Sequence, residues 1–81
     1  MYYVYVLYST NHDKIYIGFT SNLMGRLEAH NHPQNKGWTK TYRPWSLLYS
    51  EEFADKAAAM KRERALKSHQ RRVFIRRLLM R

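Results

Sequence analysis

The chain opens on an apolar run with no polar break, Tyr2-Tyr3-Val4-Tyr5-Val6-Leu7-Tyr8. A run so rich in aromatic and β-branched residues predicts a strand buried on both faces. Ser9-Thr10-Asn11-His12-Asp13 is turn chemistry, because Asn and Asp tolerate backbone angles that other residues avoid. Ile15-Tyr16-Ile17-Gly18-Phe19 predicts a second strand, and together the two read as a β-hairpin. With an even number of residues in the connection, odd positions of the first strand share a face with even positions of the second. Tyr3, Tyr5 and Leu7 then lie beside Tyr16 and Gly18. Two tyrosines converge next to a residue with no side chain, which leaves room for something to approach.

Beyond the hairpin the spacing turns helical. Thr20-Ser21-Asn22 offers side-chain oxygens to cap a first turn, and Leu23, Met24 and Leu27 repeat at helical intervals through about Asn31. Arg26 and His30 stand four apart and project from the same side of that helix. His32 to Gly37 ends it and begins a loop that runs to Arg43, after which Pro44 leads into a third strand, Trp45 to Tyr49. Phe53, Ala57, Met60 and the alanine run predict a helix from about Ala54 to Lys67. After Ser68 a last helix carries Phe74, Ile75, Leu78 and Leu79 on one face. The order ββαβαα defines an α+β domain, a small three-stranded antiparallel or mixed sheet flanked by helices.

Length makes this one domain, residues 1–81. A chain of this mass buries roughly 9,000 Å² on folding, about two-thirds of its extended surface, which suffices for one modest core. The absence of cysteine excludes a disulfide scaffold and the common zinc sites, and it suits a reducing compartment. The apolar N-terminus is too short for a secretory leader, and no apolar run is long enough to cross a bilayer, so a cytoplasmic protein with no membrane partner is expected.

Charge changes the picture most. Fifteen Lys and Arg face six Asp and Glu, a net charge of +9, which predicts an anionic partner, above all nucleic acid. The surplus is uneven: residues 1–60 hold six basic and five acidic side chains, residues 61–81 nine basic ones against Glu63 alone. The C-terminal helix, 69–81, is therefore basic on one side and apolar on the other. That pattern fits phosphate binding, a solvated face, or a segment lying on a membrane surface.

Most standard catalytic machinery is missing. No Gly-rich phosphate loop, nucleophile elbow or cysteine nucleophile occurs, the carboxylates are scattered, and the four histidines lack the spacing of a helical zinc pair. Three elements keep candidates. Tyr5 and Tyr16 serve either as proton acceptor and water orienter or as core aromatics. Arg26 suits a phosphate or a surface ion pair. Glu63, surrounded by Lys61, Arg62, Arg64 and Lys67, either pairs with Lys67 one turn on or supplies the one carboxylate that a magnesium ion needs.

These blocks, in order and at their spacing, resemble the GIY-YIG nuclease family, in particular its small stand-alone bacterial branch. The first signature triplet is Tyr3-Val4-Tyr5 and the second Tyr16-Ile17-Gly18. Gly18 through Leu23, Arg26-Leu27 and His30-Asn31 match the family's helix. Thr39-Lys40, Arg43-Pro44-Trp45 and Leu48 to Glu51 match the region of the third strand, and Ala57 to Lys67 the helix with the acidic residue. The resemblance implies an endonuclease that hydrolyses DNA, in repair or recombination. It makes Tyr5 the base for the attacking water, with Tyr16 orienting or sharing that role. Arg26 steadies the phosphate, His30 stands near Tyr5 or the phosphate, and Glu63 holds one Mg²⁺ or Mn²⁺ ion. A tyrosine base must lose its proton well below its ordinary pKa near 10, which a cationic, metal-bearing pocket favours. Lys40, Arg43, Arg62, Lys67, Arg71 and Arg72 are the candidate nucleic-acid contacts. A different class stays open, a nucleic-acid-binding module of the same fold with weak or no catalysis.

Overall fold

β1 (Tyr2–Ser9) is the middle strand of its sheet, which is why its sequence has no polar face. β2 (Lys14–Thr20) and β3 (Ser46–Phe53) flank it, both antiparallel, in the order β2-β1-β3. This is a computed structural model, and it describes residues 1–34, 37–68 and 71–80, with the backbone alone for Trp38, Arg71 and Arg72. The hairpin register sets Tyr5 opposite Gly18 and Leu7 opposite Tyr16, the pairing that an even connection dictates. Asp13 closes the turn with φ of 51° and accepts a hydrogen bond from the Tyr8 hydroxyl at 2.8 Å.

The pleat of β1 sends alternate side chains into two cores. Val4 and Val6 join Ile17 on one face, against Ala59 and Leu66 of α2 (Lys56–Lys67) and Ile75 and Leu78 of α3 (Arg71–Leu79). Tyr5 and Leu7 point the other way, onto Trp45, with Tyr16, Tyr42 and the Leu23 and Leu27 side chains of α1 (Leu23–Asn31) around them. Asn22 caps α1 by accepting from Gly25 N–H at 3.1 Å.

Three boundaries differ from expectation. β3 begins after Trp45 and runs on to Phe53, because the Trp45 side chain is needed in the second core. Asp55 caps α2 through Ala58 N–H at 2.8 Å, so that helix starts at Lys56 and buries Ala59 and Leu66; Ala57 faces solvent and Phe53 belongs to the strand. The loop before Pro44 also contains a short 3₁₀ helix, Trp38–Tyr42, too brief to carry a periodic pattern.

One residue fastens that loop to α1. Asn31 Nδ2 donates to the Trp45 carbonyl at 2.9 Å, and Asn31 Oδ1 accepts from the Trp45 N–H at 2.6 Å. Replacing it strands two part-buried backbone groups. Asn31→Ala is therefore expected to cost about 1–3 kcal/mol. A lower urea midpoint at unchanged slope is the measurement that checks it.

Candidate active site

Four of the five candidate catalytic side chains meet on the Trp45 side of the sheet. Tyr5 is 1% exposed, and its hydroxyl lies 3.1 Å from Nε2 of His30 in a buried hydrogen bond. The Tyr16 ring packs 4.6 Å from the His30 ring and 6.1 Å from that of Tyr5, centroid to centroid. Arg26, one turn before His30 on α1, lies near enough to Tyr5 for its charge to act on the hydroxyl, as does Tyr16. The space at Gly18 is not open to a ligand. A Cβ built there would sit 2.7 Å from Tyr5 Oη and 3.0 Å from Tyr16 Cε1, so the two tyrosines themselves fill it.

The protein groups around Tyr5 hold its hydroxyl protonated. Its pKa is pushed up to about 12, first by burial and then by Tyr16, with Arg26 offsetting only part of the rise. Desolvation disfavours the phenolate more than one guanidinium favours it. Burial, and after it the charge of Arg26, lower the pKa of His30. At neutral pH the pair is thus a neutral phenol beside a neutral imidazole, whose unprotonated nitrogen can accept a proton.

Glu63 comes from a different element, α2. It lies on α2 between the buried Ala59 and Leu66, whose core includes Val4 and Val6, with its side chain 17% exposed and Oε2 at 3.4 Å from Lys67 Nζ. Among the described residues no hydrogen bond or ion pair joins it to Tyr5, Tyr16, Arg26 or His30. Nor does any group of three or more His, Asp or Glu side chains converge there on a metal position. A shielded carboxylate with one cationic partner does fit an ion of the magnesium type, which takes one carboxylate and fills its other positions with water and phosphate oxygens.

The candidate nucleic-acid contacts are variously engaged. Lys40 is exposed; Arg43 donates to the carbonyls of Lys40 at 3.2 Å and Asn31 at 3.4 Å. Arg62 forks onto Glu51 at 2.8 and 3.0 Å and lies over Phe74, tying α2 to β3 and α3. Lys67 pairs with Glu63, and the side chains of Arg71 and Arg72 lie outside the described residues. Thr39, which the sequence places in the block before the third strand without a role, is 4% exposed, and its Oγ1 lies 3.0 Å from Nδ1 of His30. Nothing in its spacing marks it; only the fold brings it behind the imidazole.

The fold and the order of these residues are those of a known catalytic-domain family. Residues 1–77 match the GIY-YIG catalytic domain, and the chain belongs to that family. Members are typically nucleases that act on nucleic acid with a divalent metal. The UPF0213 protein SH2523 of Staphylococcus haemolyticus is 38% identical over 69 residues, spanning 85% of this chain and 83% of its own. A UPF0213 protein of Lactiplantibacillus plantarum is 44% identical over 73 residues, 88% of this chain and 70% of its own. The solution structure of the UPF0213 protein BH0048 from Bacillus halodurans superposes with a TM-score of 0.57 at 26% identity, covering all of this chain and 86% of that one. The three-stranded α+β architecture is shared with that structure. No helix among the described residues is long and apolar enough to cross a membrane.

Proposed function

We propose that this chain is a divalent-metal-dependent endonuclease that hydrolyses DNA phosphodiester bonds. The observation that carries this reading is the buried hydrogen bond between Tyr5 and Nε2 of His30, on the face shared with Tyr16 and Arg26. A phenol whose pKa is near 12 does not wait as a phenolate. Tyr5 instead takes a proton from the attacking water as it passes its own to Nε2 of neutral His30, so the imidazole ends the step as imidazolium. Tyr16 holds the water and the Tyr5 hydroxyl in line, and Arg26, exposed at the rim, meets the charge that grows on the phosphate. Glu63 would hold one Mg²⁺ or Mn²⁺, which when bound stabilises charge on the leaving oxygen. The basic C-terminal helix supplies salt-dependent attraction to the backbone. So small a domain has little surface for reading bases, which favours structure-specific or weakly selective cutting, in cytoplasmic repair or recombination.

The test is a cleavage panel of duplex, flapped, branched and single-stranded DNA with Mg²⁺ or Mn²⁺. Branched or single-stranded substrates are expected to be nicked, and Glu63→Gln to slow this about 100-fold or more, the weight of several kcal/mol of charge stabilisation. An inert panel, or normal cutting by Glu63→Gln, defeats the proposal. The nine basic side chains of residues 61–81, against Glu63 alone, favour a second reading, a nucleic-acid-binding module with weak or no catalysis. It predicts salt-sensitive binding that survives Glu63→Gln, with no metal-dependent cleavage.

A further inference from the structure

The proton path from Tyr5 uses one nitrogen of His30. The other, Nδ1, lies 3.0 Å from Thr39 Oγ1 in a contact buried from solvent. Thr39 is held there by a framework of its own. Its carbonyl accepts from the indole Nε1–H of Trp45 at 2.8 Å, and the backbone of Trp45 is clamped by Asn31, the residue after His30. The hydroxyl and the imidazole are thus fixed to each other through α1 and one tryptophan.

A neutral imidazole has one N–H and one lone pair, and the hydrogen bond at one nitrogen decides what the other can do. We propose that Thr39 is a positioning residue whose hydroxyl accepts the Nδ1–H of His30, fixing that tautomer and turning the Nε2 lone pair toward Tyr5. In the opposite tautomer Nε2–H would donate to Tyr5, and the phenol proton would find no acceptor on the ring. With Nδ1–H fixed, the proton leaves Tyr5 Oη for Nε2 and a water proton replaces it on Oη. The Nδ1–H bond to Thr39 stays in place throughout. Tyr16 and Arg26 lie close to the pair as well, and neither carries a carboxylate that could take over the role of Thr39. The role belongs to the hydrolysis proposed above, and the tautomer itself can be read without any substrate.

The experiment is ¹⁵N NMR of the full chain at neutral pH without DNA or metal, joined to the cleavage panel. Wild type is expected to show His30 as the Nδ1–H tautomer, Thr39→Ser to keep it, and Thr39→Val to shift it toward Nε2–H. Cleavage by Thr39→Val is expected to fall about 10–100-fold, as when an outer partner of a functional histidine is removed, and Thr39→Ser to recover most of it. An Nε2–H tautomer in wild type overturns the assignment, even if Thr39→Val fails to fold. So does an unchanged tautomer in Thr39→Val, or a Thr39→Ser variant as impaired as Thr39→Val. If the tautomers behave as expected and no DNA is cut, the nuclease reading falls and the positioning of His30 by Thr39 stands.

Discussion

Tyr5→Phe is expected to cut metal-dependent DNA cleavage by ~1,000-fold, within the range that a positioned proton-transfer group contributes. The phenyl ring still fills the space against Leu7 and Trp45, so the fold should persist. Loss of the hydroxyl deprives His30 of one partner, a cost of about 1 kcal/mol. The pH profile separates the relay from a preformed phenolate. His30 must be neutral to accept, and its lowered pKa puts the acid limb below the ordinary histidine value, so the rate falls as pH drops through that limb. Tyr5 stays protonated to about 12, so between about pH 7 and 9 the rate should be flat. A tenfold rise per pH unit across that window would mean a phenolate equilibrium and would overturn the relay.

The same shift gives a stability readout that needs no substrate. A group whose pKa is raised on folding stabilises the native state fully below its unfolded value and loses that contribution as pH rises through the folded one. For Tyr5 the window runs from its ordinary 10.0 to about 12, a loss of roughly 3 kcal/mol by the top of it. Tyr5→Phe should lack this alkaline loss. The comparison is the difference in urea midpoints between variant and wild type, followed from about pH 9 upward.

The hairpin and its facing tyrosines were legible because they rest on a period of two and the length of one connection, both written in consecutive residues. The same holds for Arg26 and His30, which one helical turn brings together. The loop from His32 to Arg43 was not legible in this way. Its geometry comes from Asn31 and Trp45 side chains bonded to backbone groups, contacts that leave no repeat in the sequence. The contact of Thr39 with His30 is therefore invisible until the loop is folded. The burial that raises the pKa of Tyr5 was illegible for a related reason. A net charge of +9 suggests a cationic pocket, but most of that charge belongs to residues 61–81, and Tyr5 is walled by aromatic rings. The engagement of Arg62 by Glu51 joins residues eleven apart on different elements, so composition marks the cation without marking its partner. Glu63 shows the reverse. Its isolation among basic residues is plain in the sequence, whereas its burial beside Ala59 and Leu66 depends on where Asp55 starts the helix.

Gly18→Ala is expected to damage both fold and activity through a single methyl group. No glycine here adopts a left-handed φ, so an alanine backbone is allowed at position 18 and the cost is one of space. The added Cβ would stand 2.7 Å from Tyr5 Oη, 2.9 Å from Tyr5 Cζ and 3.0 Å from Tyr16 Cε1. A tyrosine ring has no flexible end with which to yield, and Tyr5 is pinned by Trp45 behind it and His30 at its tip. Overpacking of this kind costs about 1–3 kcal/mol. Displacing the Tyr5 hydroxyl by even ~1 Å breaks its alignment with His30 and should slow cleavage about 100-fold. Gly25 is the comparison. A Cβ there meets the exposed side chain of Asn22, which can swing aside, so Gly25→Ala should change stability little, the lost cap offsetting the gain in helix propensity, and leave cleavage intact. The double variant Gly18→Ala with Tyr5→Phe identifies the clash. Removing Oη takes away the closest contact, so the pair should be less destabilised than the sum of the two single changes. Strict additivity would place the strain elsewhere. Cleavage by the double variant should stay no higher than that of Tyr5→Phe whatever its stability, because the relieved ring no longer carries the hydroxyl that the relay requires.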